Sequence, residues 1–319
     1  MRKSCLLLSY AASIAALVAE PTLTVDVAHP AGMVSPRLYG LMTEEINHCY
    51  DGGLYAELIR NRAFLDDKDR PVHWSMVNGN GADATTTLDS ANPYNYKLTT
   101  SLRLTVTTAS PTHPAGVANN GYWGIPVQPH TRYRATLLAR AEPGFSGPVT
   151  VSIVSEDRRV VYAQEKLSGL SPQWNRFQTT LKTGRLTPTA KARFQITLDR
   201  PATVWFGLVS LFPPTWNDRP NGLRKDLMQM LLDLKPKFLR FPGGNYLEGN
   251  KIEERFAWKK TLADSFGPQQ TERDCCDIGL ETMTLFERRF PGERPTKHFA
   301  TSCGTGAAGS GQPGNTDCF

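Results

Sequence analysis

Past residue 18 the sequence lacks any long hydrophobic run. The one such stretch, Cys5 to Val18, is shorter than the ~20 residues a helix needs to cross a bilayer. Cysteine is scarce as well. Of six, Cys5 lies in that stretch, Cys49 stands alone, and Cys275, Cys276, Cys303 and Cys318 cluster late. Their spacing matches no metal-ligand set, and the odd number past residue 18 excludes a fully paired disulfide framework. Neither a metal nor a cofactor is expected. Dense basic runs are also absent. Residues 71–212 hold fourteen Lys and Arg against seven Asp and Glu, but the cations (Arg132, Arg134, Arg140, Arg158, Arg159, Lys166, Arg176) are scattered. That pattern speaks against a nucleic-acid groove. It fits a solvated basic surface, or weak, salt-sensitive attraction to acidic wall polymers.

What is present begins with an export signal. Met1-Arg2-Lys3, the apolar stretch and Ala19-Glu20-Pro21 read as a secretory leader over residues 1–19, with an amino-terminal anchor as the alternative. The mature chain is therefore expected outside the cell, with no membrane span. Its 40% hydrophobic content over 319 residues suffices for one large or two ordinary domains.

Three textures follow. Over residues 20–70, Thr22 to Ala28 alternates as a half-buried strand and Leu38 to Met42 reads as a short apolar strand. Asp51-Gly52-Gly53 then opens a helix with an apolar face of Leu54, Tyr55, Ala56, Leu58 and Ile59. Residues 71–212 are β-rich: Leu102–Val106, Tyr133–Leu138, Val149–Val154 and Ala192–Leu198, punctuated by Gly, Pro, Asn and Ser, predict an antiparallel jelly-roll sandwich. Trp74, Tyr94, Tyr96, Tyr122, Trp123 and Trp174 could fill its core or form a sugar-binding platform. Over 213–261 the pattern reverts: Asn221 reads as the N-cap of a helix carrying Leu223, Leu227, Met230, Leu231 and Leu234, Pro236 stops it, and Phe238–Phe241 is a strand. The fold class is α/β plus all-β, a parallel strand and helix unit interrupted by a guest sandwich. Residues 262–319 are expected to be a largely disordered tail.

Two strand ends carry polar groups. Leu38–Met42 runs into Thr43-Glu44-Glu45-Ile46-Asn47, and Phe238–Phe241 runs through Pro242-Gly243-Gly244 into Asn245 and Glu248. Barrel enzymes present their chemistry in this way, at strand carboxyl ends. Taken alone, Glu44 or Glu45 equally suits a salt bridge to Arg60, Arg62 or Arg240.

The segments Tyr39–His48, Asp51–Arg62 and Leu239–Gly249, with Phe212-Pro213-Pro214-Thr215 and Arg219–Arg224, closely resemble the α-L-arabinofuranosidases of glycoside hydrolase family 51 in their fungal form. The resemblance spans roughly residues 22–261. It implies the amino-terminal part of a (β/α)8 barrel interrupted by a carbohydrate-binding-like sandwich. It further implies removal of terminal arabinofuranosyl groups from arabinan or arabinoxylan with retention, so the partner would be an arabinose-containing plant cell-wall polysaccharide. By the same resemblance, Glu44 and Asn245 match positions that hold hydroxyls of bound arabinose. The two catalytic glutamates of that family lie on later strands, and Glu272, Glu281, Glu287 and Glu293 stand in neither catalytic context. The expectation is a chain without catalytic residues and without activity, explained by a frameshift, a mis-spliced gene or a truncated product. The alternative is a non-catalytic sugar-binding protein acting through its sandwich.

Overall fold

Alternating side chains build the β-sheets of this molecule. In a computed structural model, residues 23–43, 48–79, 81–96, 98–240 and 251 are described. The chain divides into two units, residues 1–38 and 39–319. In the first, the strand expected over 22–28 is not found: Leu23 to Asp26 have no ladder, and Leu23, Val25 and Val27 are exposed. The Asp26 carboxylate accepts from the Ala28 N–H at 3.0 Å, so the chain turns where a strand would have continued.

The second unit begins with β1 (Leu41–Met42), shorter than the run expected there. Ten strands follow: β2 (Trp74–Val77), β3 (Asp83–Asp89), β4 (Ser101–Thr108), β5 (Ala115–Asn119), β6 (Arg132–Ala141), β7 (Val149–Ser155), β8 (Val161–Leu167), β9 (Asn175–Lys182), β10 (Ala192–Leu198) and β11 (Ala202–Phe212). The four runs singled out in the sequence fall within β4, β6, β7 and β10. The strands form two five-stranded sheets, ordered β2-β5-β10-β7-β8 and β3-β4-β11-β6-β9, with every pairing antiparallel. Strands β4 to β11 thus form the quartets β4-β11-β6-β9 and β5-β10-β7-β8, which is jelly-roll topology.

Period-two patterning places the core between the sheets. Leu102, Leu104 and Val106 of β4 are buried while Arg103 and Thr107 are exposed, and Phe194, Ile196 and Leu198 of β10 are fully buried. Each such side chain contributes on the order of 1.5–3 kcal/mol. A register shift between Phe206 and Val209 changes the inward phase of β11 from Ala202, Val204 and Phe206 to Val209 and Leu211. The bulge keeps β11 aligned with Leu137 and Ala135 of β6 despite the extra residue. Trp74 lies in this core, packed on Phe64 with ring centroids 5.3 Å apart.

The helix expected after Asp51-Gly52-Gly53 does not form. Residues 50–55 make turns, with Gly53 and Tyr55 N–H both donating to the Tyr50 carbonyl, and Gly52 adopts φ 80° against the Tyr122 ring. The backbone beyond is spoken for by distant partners. Ala56 N–H donates to Gly222 O at 3.1 Å, Leu58 N–H to Leu211 O at 3.0 Å, and Val209 N–H to Arg62 O at 2.9 Å. Residues 58–62 therefore flank β11 beyond Phe206, where its pairing with β4 ends.

The later helix, α1 (Lys225–Asp233), is the α-helix among the described residues. Its N-cap position is Arg224; Asn221 instead sits at φ 55° in the preceding turn, because Leu223 and Arg224 are held extended by bridges to Tyr55 and Thr215. Met228 is buried and Leu231 partly so, while Met230 and Leu234 are exposed. With Tyr50, Tyr55, Ala56, Phe212 and Leu223, Met228 forms a second, smaller core. Strand β12 (Leu239–Arg240) closes the described chain, apart from Lys251, and pairs in parallel with β1, Leu41 opposite Leu239 and Met42 opposite Arg240. The expected tail, residues 262–319, lies outside the described residues.

Candidate functional site

Parallel pairing brings the ends of β1 and β12 out on one side. The Thr43 N–H donates to the Arg240 carbonyl at 3.1 Å, so the pairing continues one residue past β1. Thr43 Oγ1 and the Tyr50 hydroxyl share a short hydrogen bond, which fixes the exit of β1 to the second core. Arg240 directs Nη1 to Met42 Sδ at 3.5 Å. Glu44 and Asn245, the two residues expected to hold substrate, both lie outside the described residues, two and five positions beyond this pair. What the described structure supplies is their footing.

Next to it in sequence, starting at His48, is an open cleft of about 310 Å³ lined by His48, Asp51, Arg60, Arg62, Asp66 and Tyr122 among others. Tyr122 stands 5.3 Å from the His48 ring and 6.1 Å from Trp123, and the Arg60 guanidinium lies 5.8 Å from the Tyr122 centroid. Trp123 is 70% exposed. Of the platform candidates, then, Tyr122 and Trp123 gather at this cleft, Tyr94 pairs with Trp174 elsewhere, and Trp74 is core.

The cleft is also lined by Glu57, which lies within the Asp51–Arg62 segment but is not among the expected site residues. Its carboxylate is buried; one oxygen accepts from the N–H of Ile59 at 2.9 Å and of Leu211 at 2.8 Å. The other accepts from Arg62 Nη1 at 3.4 Å. Burial pushes the Glu57 pKa up, and the Arg62 charge and the backbone donors only partly oppose this. The sequence signal was a lone carboxylate between apolar neighbours, Tyr55-Ala56-Glu57-Leu58-Ile59. Burial also lowers the His73 pKa, reinforced by the Arg60 charge and opposed by Asp66 4.0 Å away. Arg62 meets Glu57 at 3.4 Å, while Glu44 and Glu45, the salt-bridge partners the sequence offers, lie outside the described residues. Among the described residues no cluster of His, Cys, Asp and Glu could hold a metal ion, and no helix is long and apolar enough to cross a membrane.

A cleft with hydrogen-bonding walls and an aromatic rim suits a small, polyhydroxylated ligand. The family described as "Alpha-L-arabinofuranosidase 1 domain" matches residues 230–286, and so extends beyond the roughly 22–261 over which the resemblance is expected. A probable alpha-L-arabinofuranosidase A of Aspergillus flavus is 36% identical over 233 residues, covering 72% of this chain and 36% of that protein. Alpha-L-arabinofuranosidase 1 of Arabidopsis thaliana is 32% identical over 252 residues, covering 76% of this chain and again 36% of its own length. An arabinose-bound family 51 α-L-arabinofuranosidase structure superposes with a TM-score of 0.70 at 33% identity, over 82% of this chain and 44% of that one. The chain thus spans about a third of the length of the curated relatives it matches.

Proposed function

This chain belongs to the α-L-arabinofuranosidases of glycoside hydrolase family 51 as a partial chain, and from that premise we propose that it carries the sugar-holding corner of an arabinofuranosidase barrel without the groups that break the bond. In this reading β1 and β12 are two of the eight strands of a (β/α)8 barrel, and the sandwich is the guest inserted between them. Glu44 and Asn245 hold hydroxyls of a terminal arabinofuranosyl group on an arabinose-containing plant cell-wall polysaccharide. A carboxylate accepts from neighbouring hydroxyls, and an amide both accepts and donates.

The observation that carries the proposal is the parallel register Met42 opposite Arg240, because it ends both strands on the same side, just ahead in sequence of the segments that bear Glu44 and Asn245. Retaining hydrolysis needs two carboxyl groups ~5–5.5 Å apart, one as acid and one as nucleophile. The four glutamates after residue 261 stand in neither context, so the 319-residue polypeptide holds arabinose without cleaving its glycosides.

Equilibrium dialysis of the purified polypeptide against L-arabinose tests the holding role. Glu44→Ala and Asn245→Ala should each weaken binding about tenfold, the loss of one to two hydrogen bonds; unchanged binding in both removes the site. Release of chromophore from a chromogenic arabinofuranoside by the same polypeptide would refute the absence of catalysis. Export follows from the leader over residues 1–19, and a secreted product whose amino terminus is still Met1 would overturn it.

A further inference from the structure

The outer face of the β3-β4-β11-β6-β9 sheet bears a row of charge and aromatic rings that neither the core nor the cleft uses. Register places Thr87 opposite Arg103, Arg103 opposite Trp205 and Trp205 opposite Arg140, so one row crosses four strands. The Arg140 guanidinium lies 3.9 Å from the Trp205 centroid and 5.4 Å from that of Trp174, between the two indoles. Arg103 lies 5.6 Å from the Trp205 ring, and Tyr94 meets Trp174 edge-on at 6.4 Å.

The row is held rigidly. Trp205 Nε1 donates to Asp89 at 2.7 Å, and Trp174 Nε1 to the Asn92 carbonyl at 3.1 Å. The indole hydrogen bond, the largest influence, holds the Asp89 carboxyl below its ordinary range, and the two arginine charges add to it. That carboxylate is therefore present as an anion, but it is bonded to the indole. Arg103 is exposed and Arg140 half-buried, and neither lies within 4.0 Å of a described carboxylate. Arg140 Nε is buried with no hydrogen-bond partner. Two guanidinium groups facing one engaged carboxylate leave the row positive, in a stretch that carries the whole chain's positive excess.

We propose that this face binds an acidic carbohydrate, a chain bearing hexuronate carboxylates. A guanidinium fork matches a carboxylate in two parallel hydrogen bonds, and indole and phenol rings take the apolar C–H face of a pyranose. Charge complementarity selects the uronate over a neutral sugar, which would leave two guanidinium charges facing the single carboxylate of Asp89. The inference rests on the polysaccharide-directed role proposed above, but it concerns a surface on the sandwich rather than the strand ends.

The test is titration of the 319-residue chain with oligogalacturonides and, in parallel, with neutral xylo-oligosaccharides of equal length. Galacturonide binding is expected to exceed neutral binding and to fall steeply as salt rises from 0.05 to 0.5 M, the ~10 Å screening length at 0.1 M shrinking further. Arg103→Gln, on an exposed side chain, should lower galacturonide affinity about tenfold, and Arg140→Gln by at least as much. Circular dichroism of both variants checks that the sheet persists. Equal affinity for the neutral and acidic oligosaccharides overturns the proposal, as does a pair of folded variants that melt earlier yet bind galacturonide as the parent does, since the row would then be only a structural stack. Arabinose binding by the same variants separates the two readings: its retention alongside lost galacturonide affinity supports the sandwich site, whereas retained galacturonide binding with no arabinose binding in the parent refutes only the strand-end role.

Discussion

Glu57 ties the loop that precedes the sandwich to β11 through two buried backbone donors. Glu57→Ala removes the acceptor of two buried backbone donors, Ile59 and Leu211. An orphaned buried donor costs about 1–3 kcal/mol, so the pair costs about 2–6 kcal/mol. Arg62, 13% exposed, also loses the carboxylate 3.4 Å away. Against a typical total of about 5–15 kcal/mol, this is a large fraction of the stability. Glu57→Gln retains one oxygen for both donors and replaces the other with an amide nitrogen facing Arg62, so its cost should be nearer 1–2 kcal/mol.

The pH dependence separates charge from shape. Because burial raises the Glu57 pKa in the fold, its contribution is fully present below the ordinary carboxylate pKa and is lost as pH rises through the raised value. Parent stability should therefore decline across that interval, and the glutamine variant should lack this component. Urea unfolding followed by tryptophan fluorescence measures both, and Trp74, whose indole donates to Asn61 O at 3.1 Å, reports from the same loop. An alanine variant within about 0.5 kcal/mol of the parent, or a glutamine variant with the parent's pH slope, would refute the reasoning.

Three further outcomes are expected. Gly124→Ala should destabilise by about 2–3 kcal/mol, since φ is 95° there and an added methyl would collide with the Ala190 carbonyl; thermal unfolding measures it. Met228→Ala should cost about 2–5 kcal/mol by emptying the second core, while hydrogen exchange in β10 stays slow if the sandwich core is independent of it. Asp89 should contribute stability above the ordinary carboxylate pKa and lose it as pH falls through its lowered value; an Asp89→Asn variant with an unchanged acid limb in its melting curve would count against that.

The sandwich was legible because its strands alternate. Leu102, Leu104 and Val106 on one side and Arg103 and Thr105 on the other need no distant information to read as a strand. The segment after Gly53 misled for the opposite reason. Leu54, Leu58 and Ile59 fall at helical spacing, yet the Ala56 and Leu58 N–H groups are committed to Gly222 and Leu211, and a partner 154 residues from Glu57 leaves no local trace. Asn221 was misplaced as a cap for the same reason: bridges to Tyr55 and Thr215 hold Leu223 and Arg224 extended and delay the helix to Lys225. At the strand ends, the apolar runs correctly implied two strands, but only the ladder shows them to be parallel neighbours. The arginine and tryptophan row was invisible in sequence because Arg103, Arg140, Trp174 and Trp205 come from four separate stretches and meet only through register.

The hydrogen bond between Arg62 O and Val209 N, 2.9 Å long, makes the way into the sandwich and the way out adjacent threads. A guest whose two ends meet at a neck can be acquired, lost or exchanged without rerouting the host, because the gap it leaves is about one turn wide. Residues 63–212, which carry β11 to its end at Phe212, are in that sense a cassette. Evolution can tune what the sandwich touches while the strands beneath keep their register, and a laboratory can excise it with a short linker in its place.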